Sequence, residues 1–148
     1  MHDEWGRPCA RPENAERIIR HLSEKIEAHA EDIAITRKYN MDDAEIVLIC
    51  YGGAARSALS AMQKAREKGI KAGVFQLVTL WPVPEKEILA AMSKAKAVIV
   101  PELNLGQYIG EIERRNARNI PVVGVNRSDG QPILPAQILE KIEEEAAK

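Results

Sequence analysis

Residues 74–87, VFQLVTLWPVPEKE, constrain the fold more than any other stretch of this chain. Val74, Phe75, Leu77, Val78 and Leu80 form a nearly continuous apolar run, the composition of a strand covered on both faces. Trp81 and Pro82 stop it, because proline has no N–H to give a sheet ladder. Pro84 suits the first turn of a helix, where that N–H has no partner anyway. Glu85 and Glu87 then place negative charge at the helix N-terminus, and Ile88, Leu89 and Met92 supply its apolar face. A buried strand that feeds directly into a helix is half of a βαβ unit.

The rest of the chain repeats that unit. Residues 45–50 (EIVLIC) read as a buried strand, Gly52-Gly53 as the turn, and 54–68 as a helix with Ala58, Leu59, Met62 and Ala65 inward. Gly69 ends that helix, and 71–80 form the second core strand, followed by a helix over 84–94. Residues 97–100 are the third strand, closed by Pro101. Asn104 is placed to cap a helix over 105–118. Residues 121–125 are the fourth strand, Ser128-Asp129-Gly130 a turn, and Pro135 opens a last helix with Ile138, Leu139 and Ile142 inside. Upstream, Pro12 and Glu13 open a helix whose apolar residues are Ile18, Ile19, Leu22, Ile26 and Ala30. The alternation of Ile33, Ile35 and Tyr39 with polar residues predicts an edge strand over 33–39, read against a continuous helix as the alternative. The βαβαβαβα order implies an α/β fold, a mostly parallel sheet between two layers of helices.

Composition narrows the function. The 148 residues are 45% hydrophobic and 29% charged with a net charge of −1, so the chain suits one globular domain and carries no electrostatic footprint for nucleic acid. Its apolar runs are strand-sized, which predicts no membrane span. Two cysteines, Cys9 and Cys50, fit reduced thiols in the cytoplasm better than a disulfide framework.

In open α/β sheets ligands sit at the carboxyl ends of the strands. Here those ends carry Tyr51-Gly52-Gly53, Thr79-Leu80-Trp81, Glu102-Leu103-Asn104 and residues 126–129. Gly52 and Gly53 precede a helix N-terminus that would suit a phosphate or carboxylate, with Arg56 one turn in, but they equally make a tight βα turn. Neither dinucleotide nor P-loop glycine spacing is present. Cys50 is a thiolate candidate beside a helix start or, more simply, a buried thiol. Glu102 reads as a functional acid or as half of an ion pair across an interface, and Asn104 as a helix cap followed by Gly106 and Gln107. Trp81, with Pro82, is either a partner-facing anchor or a plug over the sheet end. His2, Asp3, Glu4 and Cys9 lack metal-site spacing. The three histidines, His2, His21 and His29, all lie in the first 29 residues, so no nucleophile, base and orienting group assemble at the strand ends.

Five segments resemble one family in order and spacing: HDEWGRP at 2–8, YGGAARSALSAM at 51–62, AREKGIKAGVFQLVTLWPVPEKEI at 65–88, PELNLGQ at 101–107 and SDGQPILPAQI at 128–138. They resemble the alpha subunit of the 2-oxoacid:ferredoxin oxidoreductases, in particular the 2-oxoglutarate type. TLWPxP followed about twenty residues later by ExNxGQ is the specific combination. Val83 and Leu103 depart from the family's usual aromatic and methionine, both as apolar exchanges.

The resemblance covers only the C-terminal part of that subunit. It implies a three-layer α/β/α domain like the transketolase C-terminal domain over 12–148. Residues 1–11 would be a linker from an absent N-terminal domain, and the chain a truncated or separately encoded piece. The family oxidises a 2-oxoacid with coenzyme A to acyl-coenzyme A and carbon dioxide and passes two electrons to ferredoxin. The resemblance places thiamine diphosphate, Mg2+ and the iron–sulfur clusters in other domains and subunits and none in this domain, whose two cysteines cannot ligate a cluster. It implies a non-catalytic assembly role, inactive alone. The partners would be the beta subunit and the rest of alpha, with gamma or delta subunits as further candidates and ferredoxin reached indirectly. Competing readings are the pyruvate or branched-chain member of the family, an autonomous module holding coenzyme A or another anion at Gly52, Gly53 and Arg56, and a homodimer built on Trp81.

Overall fold

Strand β2 (Ile46–Tyr51) is buried on both faces, and the fold is laid out around it. The computed structural model describes residues 1–148. Its five-stranded sheet has the order β1-β3-β2-β4-β5, with β1 (Thr36–Tyr39), β3 (Ala72–Leu77), β4 (Ala97–Glu102) and β5 (Val122–Asn126). Strands β2 to β5 are parallel, and β1 adds an antiparallel edge, Thr36 facing Leu77 and Tyr39 facing Val74. Helices α1 (Pro12–Glu27) and α2 (Ala30–Ile33) precede the sheet. Helices α3 (Ala54–Glu67), α4 (Glu85–Met92), α5 (Ile109–Arg114) and α6 (Pro135–Ala146) alternate with its strands.

Alternate residues of β2 feed two separate cores. Ile46, Leu48 and Cys50 pack with Ala58, Met62, Ile138 and Ile142 of α3 and α6. Val47 and Ile49 pack with Ile88, Met92 and Ile112 of α4 and α5. The result is the expected three-layer α/β/α sandwich. It also explains why β2 reads as an unbroken apolar run. Helix α1 buries none of its residues, and Ile19 and Leu22 stay exposed. No helix is long and apolar enough to cross a membrane.

Three local expectations change. Pro101 does not close β4, which continues to Glu102. The Val98 N–H bonds Pro121 O, and Glu102 O accepts the Arg127 N–H, so even-numbered β4 residues serve β5. Pro101 therefore turns its nitrogen toward β2, whose pairing with β4 ends at Leu48 and Ile99. The helix expected over 105–118 shrinks to Ile109–Arg114. Gly106 at φ +95° breaks it on one side, and on the other the Asn116 side chain bonds both the N–H and the carbonyl of Ile120. The edge strand over 33–39 is present only from Thr36, because Ile33 closes α2. Thr79 explains that boundary and the early end of β3: its hydroxyl accepts the Ile35 N–H at 2.6 Å and donates to Ile33 O at 3.2 Å, replacing ladder bonds.

Candidate functional site

The order of the parallel strands reverses at β2. The chain leaves β2 for β3 on one side, then crosses back to β4 on the other. A ligand crevice is therefore expected between the carboxyl ends of β2 and β4. That position is occupied by the chain's own side chains. Glu102, the last residue of β4, is fully buried. Its Oε1 accepts the Tyr51 hydroxyl at 2.8 Å, the Tyr108 N–H at 2.8 Å and the Asn104 side-chain amide at 3.3 Å. Its Oε2 accepts the Ile109 N–H at 3.0 Å. One carboxylate thus ties the end of β2, the following loop and the first turn of α5 to the end of β4.

The network extends to the other strand ends. Asn104 Nδ2 also donates to the Tyr51 hydroxyl oxygen at 2.9 Å. Its Oδ1 accepts the N–H groups of Gly106 at 2.8 Å and Gln107 at 3.0 Å, so Asn104 caps a loop turn and not the helix start expected of it. Its carbonyl accepts Asn126 Nδ2 from the end of β5 at 3.2 Å. Tyr108 stacks at a tilt on Tyr51, ring centres 5.6 Å apart, and its hydroxyl donates to Leu80 O at 3.3 Å, beyond β3. Burial, with the Glu102 bond adding to it, raises the Tyr51 hydroxyl above its ordinary range, and burial pushes Tyr108 up to about 12. Both phenols are therefore neutral donors near neutral pH.

The space left over is small. A cavity of about 70 Å3 lies between Gly52, Gly53, Pro101 and Leu103, well under the several hundred Å3 of an ordinary ligand pocket. Gly52, at φ +53°, makes the tight turn into α3. Arg56 is exposed on the first turn of α3 and forms no ion pair. Cys50 is fully buried and its thiol is pushed up to about 12 by desolvation, so it is an inert core thiol. Around this edge Leu80, Trp81, Leu103 and Leu105 stand out into solvent, Trp81 at 66% and Leu105 at 85% exposure. The Trp81–Pro82 peptide is cis.

The structure thus gathers Glu102, Asn104, Gly106 and Gln107 into one loop cradle, sets Gly52 and Gly53 beside it, and leaves Trp81 and Arg56 on the outside. At the N-terminal end, Asp3 Oδ1 accepts the N–H groups of Trp5 and Arg7 in a turn. No three His, Cys, Asp or Glu side chains come together as a metal site. Sequence reasoning placed Tyr51 and Asn126 at strand ends but assigned them no role, and it passed over Tyr108. The only signal was a tyrosine directly before a glycine pair at a strand end.

Residues 44–138 match the model of the pyruvate:ferredoxin oxidoreductase core domain II family. The chain is 37% identical over 142 residues to the 2-oxoglutarate synthase subunit KorA of Methanothermobacter marburgensis, covering 95% of this chain and 38% of that subunit. It is 36% identical over 129 residues to the ketoisovalerate oxidoreductase subunit VorB of the same organism, covering 86% of this chain and 36% of that one. Among solved structures it superposes on the 2-oxoglutarate:ferredoxin oxidoreductase of Magnetococcus marinus with a TM-score of 0.83 and 26% identity, over 98% of this chain and 25% of that one. The chain therefore spans little more than a third of the length of the curated relatives it matches.

Proposed function

The chain belongs to the pyruvate:ferredoxin oxidoreductase core domain II family, and we propose that it serves as a non-catalytic C-terminal domain of an alpha subunit in a cytoplasmic 2-oxoacid:ferredoxin oxidoreductase. Its part is to hold a rigid docking surface for the other pieces of that enzyme. The observation that carries this reading is Glu102. The one carboxylate at the sheet's switch point accepts four hydrogen bonds from its own chain and is sealed from solvent. A general acid or base needs access to substrate. Glu102 has none, and no histidine is among its hydrogen-bond partners.

The family's cofactors do not fit the residues present. An iron–sulfur cluster takes four thiolates, and this chain has Cys9 and a buried Cys50. A 70 Å3 cavity without a carboxylate cluster does not suit thiamine diphosphate and its Mg2+. We place the chemistry on the 2-oxoacid in the rest of the enzyme, the beta subunit and the remainder of alpha. Among oxoacids, 2-oxoglutarate is favoured by the fuller coverage of the KorA match over the VorB match.

The test is reconstitution. The beta subunit and the rest of alpha from the same organism are purified with and without this chain, and coenzyme A-dependent dye reduction is followed with 2-oxoglutarate, pyruvate and 2-oxoisovalerate. We expect activity, strongest on 2-oxoglutarate, only when the chain is present, and none from the chain alone. Full activity of an assembly that excludes the chain would overturn the proposal.

A further inference from the structure

We infer that the loops at the carboxyl edge of the sheet form the face on which the remainder of the oxidoreductase seats. This rests on the functional reading above and assigns it a surface. Two of the four loops at that edge, 78–84 and 103–108, have the sequences VTLWPVP and LNLGQY, and the turn at Gly52-Gly53 and the 127–130 loop with its Arg127–Asp129 ion pair flank them. Neither the 78–84 loop nor the 103–108 loop contains a charged residue, in a chain that is 29% charged. Their apolar side chains point outward: Leu80 is 37% exposed, Leu103 48%, Trp81 66% and Leu105 85%. Depletion of charge around an exposed tryptophan and leucines is the composition of an interface core. Ordinary solvated loops are polar.

The loops are also held ready. Tyr108 pins the 78–84 loop through Leu80 O, and Asn104 and Glu102 pin the 103–108 loop from beneath. The hydrogen bonds of that network lie beneath the loops, so the outward face is mainly Leu80, Trp81, Leu103 and Leu105, with Gln107 an exposed polar side chain among them. Such preorganisation removes ordering costs on binding. Charged residues return at the margins, Arg56 on α3 and Glu85 and Arg114 on the far side, as a polar rim.

The occupant follows from the absence of charge and from the relatives. A partner that placed a charge over this face would lose its hydration with nothing opposite, so the facing patch is itself apolar and uncharged. In the KorA relative and in the solved Magnetococcus marinus enzyme, the matched region is 38% and 25% of a longer chain, so there the same domain is joined to a larger body. That body, and not a second copy of this chain, is the partner assigned to the edge.

The experiment uses the full chain, tagged and expressed in its own organism, with a photo-crosslinker placed at Leu105. We expect a cross-link to oxidoreductase sequence homologous to the part of KorA outside the match, identified by mass spectrometry. The pair Trp81→Ser and Leu105→Ser should lower recovery of that sequence roughly tenfold or more. The pair Lys71→Ser and Lys96→Ser, at the opposite edge, should leave it unchanged. Cross-linking of the chain to itself, or recovery unchanged by the Trp81 and Leu105 substitutions, would overturn the surface assignment and leave the functional reading intact. Failure of the unsubstituted chain to recover any oxidoreductase polypeptide would remove both.

Discussion

The Tyr51 hydroxyl donates to Glu102 Oε1 across 2.8 Å and joins the carboxyl ends of the neighbouring strands β2 and β4. Four donors surround the two carboxylate oxygens, and burial denies them water. Glu102→Gln keeps the shape but turns an NH2 toward donors, so it is expected to cost about 2–3 kcal/mol. Tyr51→Phe removes one donor and keeps the ring stack, for about 1–2 kcal/mol. The two losses should not add, because each removes part of the same network. Urea unfolding of the single and double variants measures all three quantities.

Gly73 predicts a sharper loss from a smaller change. A Cβ there would lie 2.7 Å from the Ala44 Cβ and 2.8 Å from the Asn40 carbonyl oxygen. Neither neighbour is a flexible side-chain end. Gly73→Ala is expected to destabilise the domain by about 1–3 kcal/mol through overpacking. An unchanged urea midpoint would show that the β1–β2 connection yields freely.

The contrast between these two sites marks what the sequence could and could not reveal. The central strands were legible because burial on both faces leaves an unbroken apolar run, as in 46–50. The family was legible from ordered motifs. Pro101 misled, since whether a proline ends a strand depends on which neighbour its nitrogen faces, a property of register and not of the residue. Asn104 was expected to cap the next helix and instead caps a loop turn, because Gly106 moves the helix start to Ile109. The Glu102 network was illegible for a related reason. Its partners lie 51 residues away at Tyr51 and in the backbone of Tyr108 and Ile109, which no local pattern announces.

Cys50 gives a pH dependence with a definite sign. Burial pushes its thiol up to about 12, whereas an exposed thiol ionises near 9.0. Below that lower value both folded and unfolded chains hold the proton, and the stability is full. Above it the unfolded chain loses the proton first, so stability falls by about 1.4 kcal/mol per pH unit until the folded value is reached. Tyr108, also raised to about 12 by burial, works in the same direction. Cys50→Ala should therefore flatten the decline measured by urea unfolding between roughly pH 9 and pH 11. In the native protein at neutral pH, a thiol reagent should titrate Cys9 alone, with Cys50 appearing only on denaturation.

Coenzyme A discriminates the docking domain from an autonomous binding module. An anion site at Gly52, Gly53 and Arg56 has the right parts, a glycine turn at a helix N-terminus with a cation one turn in. The space beside it is about 70 Å3, and the walls that limit it, Glu102 and Tyr51, cannot withdraw without breaking the network that holds four segments together. Arg56 points into water and is set toward no enclosed volume. Calorimetric titration of the chain with coenzyme A is therefore expected to give no binding heat up to millimolar ligand, and Arg56→Ala to change nothing in that experiment. Saturable heat lost in the Arg56 variant would move the role of this edge from docking to ligand capture. It would also require Leu103 to move aside, since its Cδ1 lies 3.9 Å from where a Cβ on Gly53 would stand.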